Sequence, residues 1–326
     1  MREPSSVDLR LIAGLGADVA ETDEAARARA RDRLEVTMRA SDGQEPDRKR
    51  PVYVLVAAAV AAVLVLIVQS VLPFGAGGPR QAAAVLRDLG QIAAQRPERS
   101  LDPGHYVYER STVILARSLE DPSGGAPFTV HYEDLMETWI ASDGSGRIKV
   151  RVIGHSFMDR GEEARWLHSG SPALPVEEGS DDLYEPGDLS FVDFGSLPTD
   201  PSALDAALAS GIPLGSGSRG FERLDAIGDL LRFAYAPPEH RAALFEVAAQ
   251  LPGVVLDGNV VDVEGRTGVG VSLTEGSTKI QLIFDEATSE ILAERTFEVQ
   301  DDGSTVLREE IAYLEAGIVG SVEERP

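Results

Sequence analysis

The hydrophobic pattern changes character along the chain. From Val52 to Leu72 it has no period: Val, Ala, Leu and Ile fill nearly every position, with Tyr53, Gln69 and Ser70 near the ends. No charged side chain occurs from Pro51 to Gly78. At the helical rise this run spans about 32 Å, which matches the hydrocarbon thickness of a bilayer. A membrane helix is therefore expected over residues 51–73, broken by Pro73, Phe74 and Gly75. About fifty residues precede the run, so an uncleaved anchor is expected rather than a signal peptide.

Before the anchor the pattern is sparse. Ser5 or Ser6 could cap a first helix carrying Val7, Leu11, Ile12 and Leu15. Thr22 could cap a second, in which Ala26, Ala30, Leu34 and Met38 recur every four residues as a narrow apolar line. Arginines spread around the rest of that helix. Two readings stand: a helix that docks on a cytoplasmic regulatory protein, or a solvated tail whose arginines set topology. Residues 1–50 are too few to bury much of a core.

After the anchor, helical and alternating patterns fill residues 80–326, read as one domain. A helix is expected from Gln81 to Gln95, then strands over His105–Arg117, Met136–Ala141 and Arg147–Ile153, the last two joined by the Asp143-Gly144 turn. Gly154–Ser218 is rich in Gly, Pro, Ser and acids and reads as irregular. Two helices are expected next, over Phe221–Tyr235 and from Pro237 to Leu251. Asp257-Gly258 reads as a hairpin turn between Val254–Leu256 and Val260-Val261. Val269, Val271 and Leu273 alternate, as do Ile280, Leu282 and Phe284; Ile291–Val299 and Thr305–Ala312 follow. Helix, strands, helices, strands is the order of an α+β domain: a curved antiparallel sheet covered on one face by helices.

Charge sets the orientation. Arg48, Lys49 and Arg50 abut the start of the anchor, whereas only Arg80 and Arg87 follow it closely, which predicts a cytoplasmic N-terminus and an extracytoplasmic C-terminal domain. Residues 1–50 hold 10 basic and 11 acidic side chains against 20 and 43 in the remainder, so the outer part carries nearly all of the net charge of −24. That balance argues against nucleic acid as a partner. The absence of cysteine excludes disulfides, thiolate metal sites and cysteine nucleophiles.

Candidate chemistry is thin. His105, His131, His155, His168 and His240 show no metal-ligand spacing. Gly215–Gly220 has the wrong spacing for a nucleophile elbow, and Gly265–Gly270 runs into a strand pattern without the lysine of a phosphate loop. Glu177, Glu178, Asp181, Asp182, Glu185 and Asp188 lack the register of a calcium loop and read as a solvated acidic loop. Neither a catalytic residue, a metal ligand nor a cofactor is assigned, and a non-enzymatic protein is expected.

An ordered set of phrases carries a resemblance: Leu197-Pro198-Thr199-Asp200-Pro201, Pro237-Pro238 with Arg241-Ala242-Ala243-Leu244, Leu251-Pro252-Gly253-Val254, Asp262, Gly265-Arg266, Gly268-Val269-Gly270-Val271 and Ile283-Phe284-Asp285 with Thr288. With the Ala-Arg-rich tail, these make the chain similar to an actinobacterial family of uncharacterised single-pass membrane proteins often encoded beside extracytoplasmic-function sigma factors. The resemblance implies a sensor or regulator in the cell envelope and transfers no catalytic residue. The element order also resembles lipoprotein carriers, half-barrel sheets under a helical lid, which implies an alternative: a lipid- or lipoprotein-binding domain on a membrane anchor. No residues are assigned to a ligand cleft.

Overall fold

The structure is a computed structural model that describes residues 77–122, 124–157, 160–174, 178–211, 213 and 219–326. The anchor Val52–Leu72, the Arg48-Lys49-Arg50 cluster and the line Ala26, Ala30, Leu34 and Met38 lie outside the described residues. Among the described residues no helix is long and apolar enough to cross a membrane.

The described body is α+β. Helix α1 (Pro79–Ala93) precedes strands β1 (Tyr106–Leu119), β2 (Phe128–Ala141) and β3 (Gly146–Phe157), then α2 (Arg160–His168) and the short strand β4 (Ser180–Tyr184). Helices α3 (Pro201–Ala209), α4 (Gly220–Leu231) and α5 (Pro238–Gln250) follow, and then β5 (Val255–Val261), β6 (Thr267–Glu275), β7 (Thr278–Phe284), β8 (Ile291–Val299) and β9 (Thr305–Val319). The nine strands form one antiparallel sheet in the order β4-β3-β2-β1-β9-β8-β7-β6-β5, curved and unclosed. Two meanders thus meet at a single seam, where β1 pairs with β9.

Alternation decides which face each side chain takes. Val269, Val271 and Leu273 of β6 and Ile280, Leu282 and Phe284 of β7 point inward and join Leu224, Ile227 and Leu230 of α4 and Leu244 and Phe245 of α5 in one core. Each such side chain, fully buried, contributes about 1.5–3 kcal/mol, so this face holds the helical layer. Helix α1 lies on α5, where Gly90 approaches the Cβ of Phe245 and Arg87 pairs with Glu246 at 3.0 Å. Phe128, Val130 and Tyr132 form a smaller cluster with Phe157 and Trp166 under α2.

Several expectations change. Asp257-Gly258 is not a hairpin turn: Val255–Val261 is one strand, and the dipeptide forms a bulge against β6 where the pairing register slips. Gly258, at φ 84°, supplies the left-handed conformation the bulge needs. The chain reverses instead between Val261 and Thr267. The stretch read as irregular contains β4, α2 and α3. Asp200 caps α3 by accepting from the Ala203 amide at 2.9 Å, with Pro201 in the first turn. Asp181 and Asp182, expected in a solvated loop, belong to β4, and Asp181 accepts from Arg147 on β3 at 2.6 and 2.7 Å. Pro237 stands at the N-cap of α5 and Pro238 occupies its first position.

Candidate functional site

A buried set of ionisable side chains lies where α4 crosses the sheet. Helix α4 is held at both ends. At its start the Gly220 amide donates to Glu275 Oε2 at 2.9 Å, and at its end Arg232 Nη1 donates to both oxygens of Glu109 on β1 at 2.9 and 3.1 Å. Arg232 Nε also lies 3.3 Å from Asp229 Oδ1, and the guanidinium sits over the Phe233 ring, 4.8 Å from its centroid. Arg241 of α5 secures the exit from α4. Its guanidinium donates to the carbonyls of Leu231, Phe233 and Ala236 at 2.9, 2.6 and 3.1 Å. The Leu231 carbonyl is one of those a helix end leaves without an intrahelical donor. Burial depresses the Arg241 guanidinium to about 10, so it stays charged under ordinary conditions.

Between these clamps α4 passes over Glu294. Leu282 of β7 pairs with Glu294, whose side chain faces inward, and Gly228 leaves it room. A Cβ at position 228 would stand 2.6 Å from Glu294 Oε1 and 2.8 Å from Leu282 Cδ2. Glu294 and the Tyr313 side chain of β9 are both buried, and the Tyr313 hydroxyl is the hydrogen-bonding neighbour of the Glu294 carboxyl. Burial holds the Glu294 carboxyl well above the usual carboxylate range; Asp229 and Asp225 add to this by repulsion, while Arg232 opposes it. Burial first, and Glu294 second, push the Tyr313 phenol up. Burial thus favours the neutral form of both groups inside the fold.

Beside this cluster is a cavity of about 20 Å³, lined by Glu109, Thr138, Ile140, Phe191, Val192, Arg232 and Tyr235 among others. Its size suits about one water molecule. Phe191 stacks on Tyr235 at 5.1 Å and 12°, and the Tyr235 hydroxyl donates to the Val192 carbonyl at 2.8 Å. The arrangement can take up or release a proton, hold a water against the Glu109–Arg232 pair, and link the charge on Glu294 to the seating of α4.

Apart from Arg241, quoted in the phrases that carry the resemblance, none of these residues stood out in the sequence. Glu294 is hidden by a bulge: Ile283 pairs with Ala293 but Phe284 with Ile291, so Leu292 is skipped and the alternation reverses. Reading on from Ile291 puts Glu294 outward; the bulge turns it inward. The only local signal was Gly228, a glycine inside a helical pattern. Of the five histidines, His240 is buried with Nε2 3.0 Å from the Leu197 carbonyl, so that nitrogen carries the proton and ties α5 to the segment before α3. Among the described residues no group of His, Asp and Glu is arranged to hold a metal ion. No family model matches the chain, and no curated protein is similar to it.

Proposed function

We propose that the protein is a non-enzymatic, membrane-anchored sensor or regulator of the cell envelope, with the helix-covered domain outside and residues 1–50 inside. The observation that carries this reading is the Glu294 carboxyl, enclosed beneath Gly228 and beside Tyr313, with no cation in contact among the described residues to balance its charge when it ionises. A carboxyl shifted strongly by burial and by neighbouring carboxylates marks a candidate functional element. Here a change at one carboxyl bears on the position of a whole helix, which is what a sensor requires. Enclosure of the cluster supports the non-enzymatic part, because an acid or base must come within hydrogen-bond reach of its substrate. The resemblance to proteins encoded beside extracytoplasmic-function sigma factors points the same way, and the line Ala26, Ala30, Leu34 and Met38 is the segment that would dock on a cytoplasmic regulatory protein.

A lipid- or lipoprotein-binding carrier is the second reading, favoured by the curved, unclosed sheet under its helices. It requires displacement of Leu224, Ile227 and Leu230, whose side chains fill that space. Capture of the intact protein from its own membranes, with mass spectrometry of proteins and lipids, separates the two. For a regulator, a cytoplasmic protein is recovered with the parent chain and lost when Leu34→Asp and Met38→Asp are combined, with membrane insertion unchanged. Identical interactors for parent and double variant overturn the docking role. Stoichiometric acyl lipid bound to the outer domain establishes the carrier.

A further inference from the structure

The outer face of the sheet carries a second constellation, independent of the buried cluster. Tyr108 on β1 is paired with Trp139 on β2, and Trp139 with Arg147 on β3. The Tyr108 and Trp139 rings lie 5.1 Å apart, and the Arg147 guanidinium sits 5.7 Å from the Trp139 ring. Glu137, two residues before Trp139, accepts from the Tyr108 hydroxyl at 2.9 Å. These groups form a platform with an aromatic floor, one carboxylate and one guanidinium.

Residues 320–326 cover it. Trp139 Nε1 donates to the Glu324 carbonyl at 2.7 Å, and Arg147 Nη1 donates to the Val322 carbonyl at 3.2 Å. The Arg325 guanidinium donates to both oxygens of Glu137, at 2.7 and 2.9 Å. Tyr108 and Trp139 are 0% and 2% exposed beneath it, yet every covering residue except Val322 is itself exposed. The segment adds no strand to the sheet. β9 ends at Val319, and the Glu324 amide donates within the segment, to the Ser321 carbonyl at 3.2 Å. Lifting it would leave the strand ladder intact and uncover the aromatic floor.

The segment is thus held as a peptide ligand is held: two main-chain carbonyls read by side-chain donors, and an arginine read bidentately by a carboxylate. The carboxylate sets the selectivity. Glu137 is only 5% exposed, and Arg325 holds its carboxyl below the usual range against the opposing effect of burial. A replacement that brings its own cation restores the bidentate pair, whereas one without it leaves Glu137 only the Tyr108 hydroxyl and the more distant charge of Arg110. We infer that the Tyr108–Glu137–Trp139–Arg147 platform is a docking site for an extended, arginine-bearing peptide segment of a partner protein, occupied in the free protein by residues 320–326.

The test uses emission from Trp139. Trp166 is the other tryptophan of the chain, so Trp166→Phe isolates the signal. The probe is the synthetic peptide Gly-Ser-Val-Glu-Glu-Arg-Pro and its Arg→Ala version. A chain stopped after Val319 is expected to bind the peptide at least about tenfold more tightly than the full chain, and to bind the Arg→Ala peptide about tenfold more weakly, because the charge-assisted bidentate pair is lost. Full-length Arg325→Ala is a second variant that keeps the covering segment: acrylamide quenching of Trp139 and peptide affinity should both rise in it. A folded, stopped chain that binds no peptide overturns the inference, as does equal affinity in full and stopped chains. Concentration-dependent dimers of the full chain that Arg325→Ala abolishes would make a second copy the occupant and overturn the partner reading.

Discussion

Replacing Glu294 with Gln tests whether the buried carboxyl is neutral in the fold. Gln has the shape of the protonated acid and cannot ionise. In the unfolded chain Glu294 titrates near the ordinary value of about 4.3. In the fold burial and the facing Asp229 and Asp225 raise it, so between the two values the native state holds one proton more than the unfolded state. The slope of unfolding free energy with pH is then negative for this group: its contribution is fully present below about 4.3 and is lost as pH rises through the folded value. One proton corresponds to at most about 1.4 kcal/mol per pH unit. Glu137, Asp181, Glu246 and Glu298, all shifted downward, contribute the opposite slope but are common to both proteins and cancel in the difference. The Gln amide also brings unsatisfied donors, a cost of about 1–3 kcal/mol independent of pH. The offset between the proteins is therefore uninformative, and the slope is the measurement. Urea unfolding of the detergent-solubilised chain and its variant, stepped from pH 4.5 to 8.5, should show the parent losing stability relative to Glu294→Gln as pH rises. Parallel profiles would refute a neutral Glu294.

Three further outcomes follow from the same geometry. Gly228→Ala should cost about 1–3 kcal/mol by overpacking against Glu294 and Leu282, read as a lower urea midpoint at unchanged slope. Arg241→Met should cost about 3 kcal/mol or more by removing three charge-assisted hydrogen bonds and leaving the Leu231 and Ala236 carbonyls without that donor, and Arg241→Lys should not restore it, because an ammonium lacks the guanidinium's fixed fork. Residues 77–326 alone should unfold cooperatively by circular dichroism, identically with and without reductant because the chain has no cysteine; a disordered spectrum would contradict this.

Strands with clean alternation were legible in extent and in facing, whereas a bulged strand such as Ile291–Val299 was legible in extent but not in which face its residues take. Ile280, Leu282 and Phe284 alternate without interruption and take the face their spacing predicts. Beyond Phe284 one skipped residue turns Glu294 inward, and the centre of the candidate site with it, because a shift of one position exchanges the two faces of a strand. Asp257-Gly258 has hairpin composition, yet a left-handed glycine serves a bulge as well as a turn, and the longer pairing with β6 decides between them. Strand β4 escaped notice because an edge strand of five mostly polar residues has no apolar period to read; the Arg147–Asp181 pair is among the contacts that fix it to β3. Helix α3 was announced by Asp200-Pro201, a cap-and-first-turn signature outweighed by the glycines and prolines around it.

The seam between β1 and β9 also governs how the domain comes to be made. Its strands lie nearly the whole domain apart in sequence, and the two meanders on either side are each built from neighbouring hairpins. Local hairpins close early, whereas a pairing of such separation incurs its loop-closure entropy before any contact offsets it. During synthesis the first meander would therefore stand with the inner edge of β1 unpaired until residues 309–319 arrive. An unpaired edge of ten residues, Tyr106 to Leu115, ending in Val113, Ile114 and Leu115, is a template for association with other chains. The rate at which β9 reaches β1 then sets the yield of folded domain, and substitutions at the seam should change recovery on refolding more than those within either meander.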